Sequence, residues 1–204
     1  MAVVQSDLDV PGVTRPMTYE EYMASPEEMA RYDILDGWKV YRLYGEEQLT
    51  NPTIRHQRVQ RRIARAFEDY EEASGIGLSV EAPCDVQISR FPLRNRQPDL
   101  LFISKERFGE RTLDDPKPLS PASELVVEVI SPSDKPSVLA AKVADYRSVE
   151  VQEVWVVRSQ EQSIEVLRLS LDEIESVGVH QRGQTVQSFA FEGLTVAVNE
   201  VFTA

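Results

Sequence analysis

Three residues carry the chemistry that this chain offers most clearly: Asp99, Glu128 and Lys142. Asp99 stands in Gln97-Pro98-Asp99-Leu100-Leu101-Phe102-Ile103, at the mouth of an apolar strand. Glu128 interrupts Leu125-Val126-Val127-Glu128-Val129-Ile130, where the two-residue period of a strand puts Val126 and Ile130 on its own face. An ionised carboxylate in such surroundings is costly unless a cation or hydrogen bonds compensate it. Lys142 follows in a helical stretch. Two acids on neighbouring apolar strands, with an ammonium close by, form a set that binds a hard divalent cation and polarises a phosphodiester. Each residue also has a plainer reading. Pro-Asp at a strand start is ordinary turn chemistry, a strand-end glutamate reaches water or pairs with a surface arginine, and most helix lysines are solvated.

These residues need elements to position them. Thr18 and Glu21 have the spacing of a capping box, which opens a short helix over about 19–29. Asp36-Gly37 predicts a hairpin turn between strands near 31–35 and 38–44. The segment 54–73 is the clearest helix, with Val59, Ile63, Ala66, Phe67 and Tyr70 on one apolar face. Arg58, Arg61, Arg62 and Arg65 fall on a separate stripe of that helix, which reads as a solvated face, a phosphate contact or a subunit interface. Strands follow near 78–82, 85–89 and 98–103, then a charged, proline-bearing loop over 104–120 and a strand over 124–130. A helix over 137–147 leads to strands at 154–157 and 164–169, and the tail 183–202 reads as strand, turn and short closing segment. The strands of Asp99, 125–130 and 154–157 are expected at the centre of the sheet. Residues 1–16 read as a loose start, and 17–204 as one α/β domain.

Composition sets the limits. The 204 residues are 42% hydrophobic, enough for a single packed core. The net charge of −12, from 34 acids against 22 Lys and Arg, opposes non-specific attraction to nucleic acid, so any such contact must be local. One cysteine, Cys84, excludes an intrachain disulfide and a multi-thiolate zinc site, and it is expected to be packed and inert. His56 lies at the edge of the long helix's apolar face, either as a core or capping residue or as a contact to phosphate or to water on a metal. Asp33 is either ordinary strand polarity or a third acid, and His180 is expected in an exposed polar turn. No run approaches the length of a membrane span and no basic leader precedes an apolar run, which points to a cytoplasmic protein.

Over residues 17–202 the chain resembles the Uma-type family of small bacterial endonucleases, in the restriction-endonuclease-like superfamily with its PD-(D/E)xK signature. The likeness runs through Met17-Thr18-Tyr19-Glu20-Glu21-Tyr22, Tyr32-Asp33-Ile34-Leu35-Asp36-Gly37, His56, Pro98-Asp99 and Val127-Glu128-Val129-Ile130-Ser131-Pro132-Ser133. It continues through the Lys142-x-x-x-Tyr146 pair and Val151-Gln152-Glu153-Val154-Trp155-Val156-Val157. The resemblance implies a central mixed β-sheet flanked by helices. It also implies a metal held by Asp99 and Glu128, Mg²⁺ with Mn²⁺ as substitute, and Lys142 as the lysine displaced from its usual place two residues after the glutamate. Asp33 and His56 would complete the site. The chain departs from the family pattern at Ile130, where that lysine is usual, at Asp33, where a glutamate is usual, and at Trp38 and Val138, where acids are usual.

The expectation is therefore an endonuclease that hydrolyses DNA phosphodiester bonds with Mg²⁺, meeting DNA through Arg58, Arg61, Arg62 and Arg65, without a membrane partner and with a homodimer in view. Fold does not fix function, so a second reading stands beside it: a catalytically silent nuclease fold that works by self-assembly or partner binding.

Overall fold

Strict alternation along residues 125–130 organises the molecule. Leu125, Val127 and Val129 point into one apolar core, while Val126 and Ile130 point into another on the opposite face. The computed structural model describes residues 15–26, 32–41, 53–131 and 134–203. In chain order the elements are α1 (Tyr19–Ala24), β1 (Tyr32–Leu35), β2 (Trp38–Tyr41), α2 (Ile54–Ser74), β3 (Gly77–Glu81), β4 (Val86–Arg90), β5 (Leu93–Arg96) and β6 (Leu100–Ser104). Then come α3 (Lys105–Phe108), β7 (Leu125–Ile130), α4 (Pro136–Ser148), β8 (Glu153–Arg158), β9 (Ser163–Leu169), β10 (Ile174–His180), β11 (Thr185–Gln187), β12 (Thr195–Ala197) and α5 (Val198–Val201).

The main sheet has the order β10-β9-β8-β7-β6-β3. Only β7 and β8 run parallel, so the sheet is mixed. A parallel pair needs a long crossover, and α4, opened by Pro136 where a missing N–H costs nothing, supplies it. Helix α2 covers one face. Its Val59, Ile63 and Phe67 pack on Val127, Val129 and Trp155, with the Phe67 and Trp155 rings edge to face at 5.4 Å. Thr53 caps α2 by accepting from the His56 amide, and Gly75 closes it in the left-handed region at φ 64°. The other face packs under α4, around Val126, Val143, Tyr146 and Val154. A second sheet of order β2-β1-β5-β4 stands beside the main one, and β11 pairs with β12.

The central position expected for the strands of Asp99, Glu128 and Trp155 holds, as does the Asp36-Gly37 turn, where both residues take positive φ (53° and 84°) between Leu35 and Trp38. Several expectations are corrected. Helix α1 ends at Ala24, before Ser25-Pro26; residues 27–31 and 42–52 lie outside the described residues, with the ends expected there for the first helix and the second strand. Strand β5 lies between the strands expected near 85–89 and 98–103, where none was expected. It joins β1 to β4 and buries Asn95 and Arg96, polar residues that a search for apolar alternation passes over. His180 sits at the end of β10, half-buried, and not in an exposed turn. Among the described residues no helix is long and apolar enough to cross a membrane.

Candidate active site

The antiparallel register of β6 and β7 sets Leu100 opposite Val127, Leu101 opposite Val126 and Phe102 opposite Leu125. One step further along that register carries Asp99 to the level of Glu128 at the C-terminal end of β7. Both side chains are buried, Asp99 at 0% exposure and Glu128 at 1%. Asp99 is held from several sides. Its Oδ2 accepts the Val129 amide at 2.7 Å, its amide donates to Val127 O at 3.2 Å, and its carbonyl accepts Gln60 Nε2 at 3.0 Å. His56, in the first turn of α2, brings Nε2 to 3.0 Å from Val129 O and 3.6 Å from Asp99 Oδ2. The carbonyl contact requires the proton on Nε2, which leaves the buried Nδ1 without a hydrogen-bond partner.

Helix α4 provides the partners of Glu128. Lys142 Nζ lies 2.8 Å from Oε2, and the Tyr146 hydroxyl donates to Oε1 at 2.6 Å. Lys142 and Tyr146 stand one helical turn apart and so reach the same carboxylate. Ile130, two residues after Glu128, packs into the α4 core, and the ammonium arrives from α4 instead. Both oxygens of Glu128 thus have a strong donor, which is what allows the charge to be buried.

Helix α4 carries a second polar function that the sequence did not reveal. Asp145, next to Tyr146, accepts Arg96 Nε at 2.7 Å and Arg94 Nη1 at 2.9 Å. Arg96 also donates to Asp33 Oδ2 at 3.0 Å, and Asp33 Oδ1 accepts the Gln97 amide at 3.0 Å. The chain Asp145–Arg96–Asp33–Gln97 ties α4 and β1 to the residue two before Asp99. Asp33 is therefore engaged by a guanidinium and a backbone amide. Among the described residues no group of three or more His, Cys, Asp or Glu side chains gathers where a metal could sit, so Asp33 and His56 do not join the two carboxylates in such a cluster. Arg96, Asp145 and Gln60 were missed; Tyr146 was pointed to by the family resemblance.

Helix α2's arginines divide. Arg58, Arg61 and Arg65 are exposed, whereas Arg62 is half-buried and donates from Nη1 to Val201 O at 3.1 Å and to Thr203 O. Cys84 is packed as expected, and burial pushes its thiol up to about 12, out of the range of a nucleophile.

With this geometry in hand, comparison with known proteins is direct. A family model described as "Uma2: Putative restriction endonuclease" matches residues 20–199. The chain belongs to the Uma2 family. Among solved structures it is similar to a protein from Anabaena variabilis described as a putative nuclease of the DUF820 family, with a TM-score of 0.69 and 16% identity over 92% of this chain and 98% of that one. At that identity the likeness shows the fold alone. No curated protein matches the chain. Family and fold together mark this Uma2 member as restriction-endonuclease-like, with the mixed sheet and flanking helices expected of that class.

Proposed function

We propose that this Uma2 protein is a metal-dependent endonuclease that hydrolyses DNA phosphodiester bonds. The observation that supports it best is the buried pair Asp99 and Glu128, brought level by the β6–β7 register, with the Lys142 ammonium on Glu128. The donor set fits a hard cation that keeps most of its waters: two carboxylates are present, with no thiolate and no three-residue cage among the described residues. Asp99 and Glu128 would hold Mg²⁺, or Mn²⁺ in its place. When bound, the cation supplies charge on the phosphoryl oxygen and a lowered pKa for water.

The chain's own residues do the rest. The Val129 amide fixes the orientation of Asp99, and the His56 ring lies beside it at 3.6 Å. Lys142 holds Glu128 and offsets the negative charge that develops on the phosphoryl group, and Tyr146 keeps the second oxygen of Glu128 in place. Water attacks in line with the leaving 3′-oxygen: a bond from water oxygen to phosphorus forms, the bond from phosphorus to the 3′-oxygen breaks, and the proton ends on the leaving oxygen. Asp33 acts through Arg96 and Gln97 as a positioning residue for the Asp99 segment. Residues 17–204 would form one such domain after the lead-in 1–16, in the cytoplasm where its substrate lies.

A second reading has an observation of its own. Strand β10 is an edge of the main sheet and exposes Ile174, Val177 and Val179, the last at 54%. An apolar open edge favours pairing with another chain, which suits a homodimer or a silent assembly protein. Conversion of supercoiled plasmid to open circles separates the two. The parent is expected to nick DNA with Mg²⁺ or Mn²⁺ and not with EDTA, and Glu128→Gln to lose about 10²–10³-fold of the rate. A folded parent that forms dimers and nicks neither DNA nor RNA with either metal would leave self-assembly as the function.

A further inference from the structure

At the start of α2 lies a cleft of about 430 Å³ whose lining, among the described residues, includes four arginines, Arg55, Arg58, Arg62 and Arg182, and no carboxylate. In a chain with a net charge of −12 this is a local reversal of sign. The positive end of α2, a helix of 21 residues, opens at its edge and adds to the attraction for anions. Ser159 also lines it. That side chain is 7% exposed, yet its buried Oγ has no hydrogen-bond partner. A buried hydroxyl left unsatisfied is costly, and Ser159 is among the residues that line this arginine-bearing cleft.

The lining residues have distinct duties. Arg62 is committed to Val201 O and Thr203 O and so shapes the wall. Arg182 Nη1 lies 3.4 Å from Gln162 Oε1, which steadies it at the opposite side. Arg61 and Arg65, which the sequence joins with Arg58 and Arg62 in one stripe, are exposed and lie outside the lining. Chain neighbours of the lining residues reach the carboxylate site. His56, between Arg55 and Arg58, touches Val129 O and approaches Asp99, and Ser159 directly follows Arg158, the partner of Ile130 in the parallel β7–β8 register.

We propose that this cleft grips a backbone phosphate of the DNA strand adjacent to the one presented to Asp99 and Glu128, with Arg55, Arg58 and Arg182 as the cationic clamp and Ser159 Oγ as a neutral donor. The choice of DNA rests on the nuclease reading; the phosphate chemistry rests on the cleft itself. Phosphate contacts position a strand without reading its sequence, so this is a device for register.

The test is fluorescence anisotropy of a short labelled DNA duplex in EDTA, where affinity is read without cleavage, at several salt concentrations. Arg58→Gln with Arg182→Gln is expected to weaken binding about tenfold and to reduce the slope of log affinity against log salt by about 1.8. Arg61→Gln with Arg65→Gln removes the same charge outside the cleft and is expected to change affinity less than about twofold, since neither residue would then meet a phosphate. Ser159→Ala, which removes only the orphan hydroxyl, is expected to weaken binding about threefold. Equal losses in the two arginine pairs, or no loss in the cleft pair, would overturn the proposal. Inorganic phosphate that displaces the duplex as well as unlabelled DNA does would also overturn it and assign a free-anion site. Binding through the cleft without cleavage under any metal would defeat the nuclease reading alone. Cleavage by a cleft variant of unchanged affinity would defeat the cleft alone.

Discussion

Two glutamates on neighbouring strands differ in who holds them. Glu128 lies near the C-terminal end of β7 and Glu153 at the start of β8, and both are buried. Glu153 is enclosed by neutral, fixed donors. Its Oε1 accepts Trp155 Nε1 at 2.6 Å, and its Oε2 accepts Ser188 Oγ at 2.7 Å and the amides of Phe189 and Ala190 at 3.1 and 3.0 Å. Glu128 is held by an ammonium and a phenol carried by α4. Backbone amides cannot be exchanged without unfolding the segment that carries them, whereas Lys142 has a flexible stem and three donors. One carboxylate staples the 188–190 turn to the sheet. In the proposed function the other would share its partners with a cation.

The largest effect expected from breaking this contrast is on folding. Glu153→Ala orphans four donors, each worth about 1–3 kcal/mol when buried and unpaired, and is expected to cost about 4 kcal/mol in a denaturant titration. It is expected to leave the metal response of the folded protein intact. Glu128→Gln reverses the pattern. Its loss of nicking corresponds to about 2.7–4 kcal/mol of transition-state stabilisation, with the smaller cost in stability, since Gln still offers an acceptor to Tyr146. Glu128→Gln proving costlier to the fold than Glu153→Ala would erase the distinction.

A third acid sharpens the comparison because its donors do not offset its burial. Part-buried Asp85 accepts the Tyr22 hydroxyl, and burial outweighs its hydrogen bonds and holds its carboxyl above the ordinary carboxylate range. The unfolded chain then ionises at lower pH than the fold, so this contribution to stability is complete below the unfolded pKa and is lost as pH rises through the folded one. Asp85→Asn removes that loss. The melting temperature of the variant, relative to the parent, is expected to rise modestly from acid to neutral pH; a constant difference would mean that Asp85 ionises as it does in the unfolded chain.

What could be read in the sequence follows the same division between local pattern and distant partner. Helix α2, strand β7 and the pairing of Asp99 with Glu128 were legible because apolar periodicity announces them, and an acid that interrupts such a run stands out. Strand β5 was not, because its buried residues Asn95 and Arg96 are polar, and Arg96 is paid for by Asp33 on β1 and Asp145 on α4. Glu153 stood only within the motif of the family likeness, and its role had no local signal because three of its donors lie 35–37 residues away. The arginine stripe follows the helical pattern, but its members differ in surroundings, since Arg62 is claimed by the carbonyls of Val201 and Thr203. Strand β10 lacked a signal because one of its sides has no neighbouring strand and most of its residues are exposed.

The central claim is that Asp99 and Glu128 form one cation site in the folded protein, and thermal melting with Mn²⁺ tests it without requiring turnover. After dialysis against EDTA, Mn²⁺ at about 100 times its Kd is expected to stabilise the parent by about 2.7 kcal/mol, a rise of several degrees in Tm. Asp99→Asn and Glu128→Gln are each expected to abolish that rise. A parent whose Tm ignores millimolar Mn²⁺ and Mg²⁺, or variants that keep the full shift, would contradict the account.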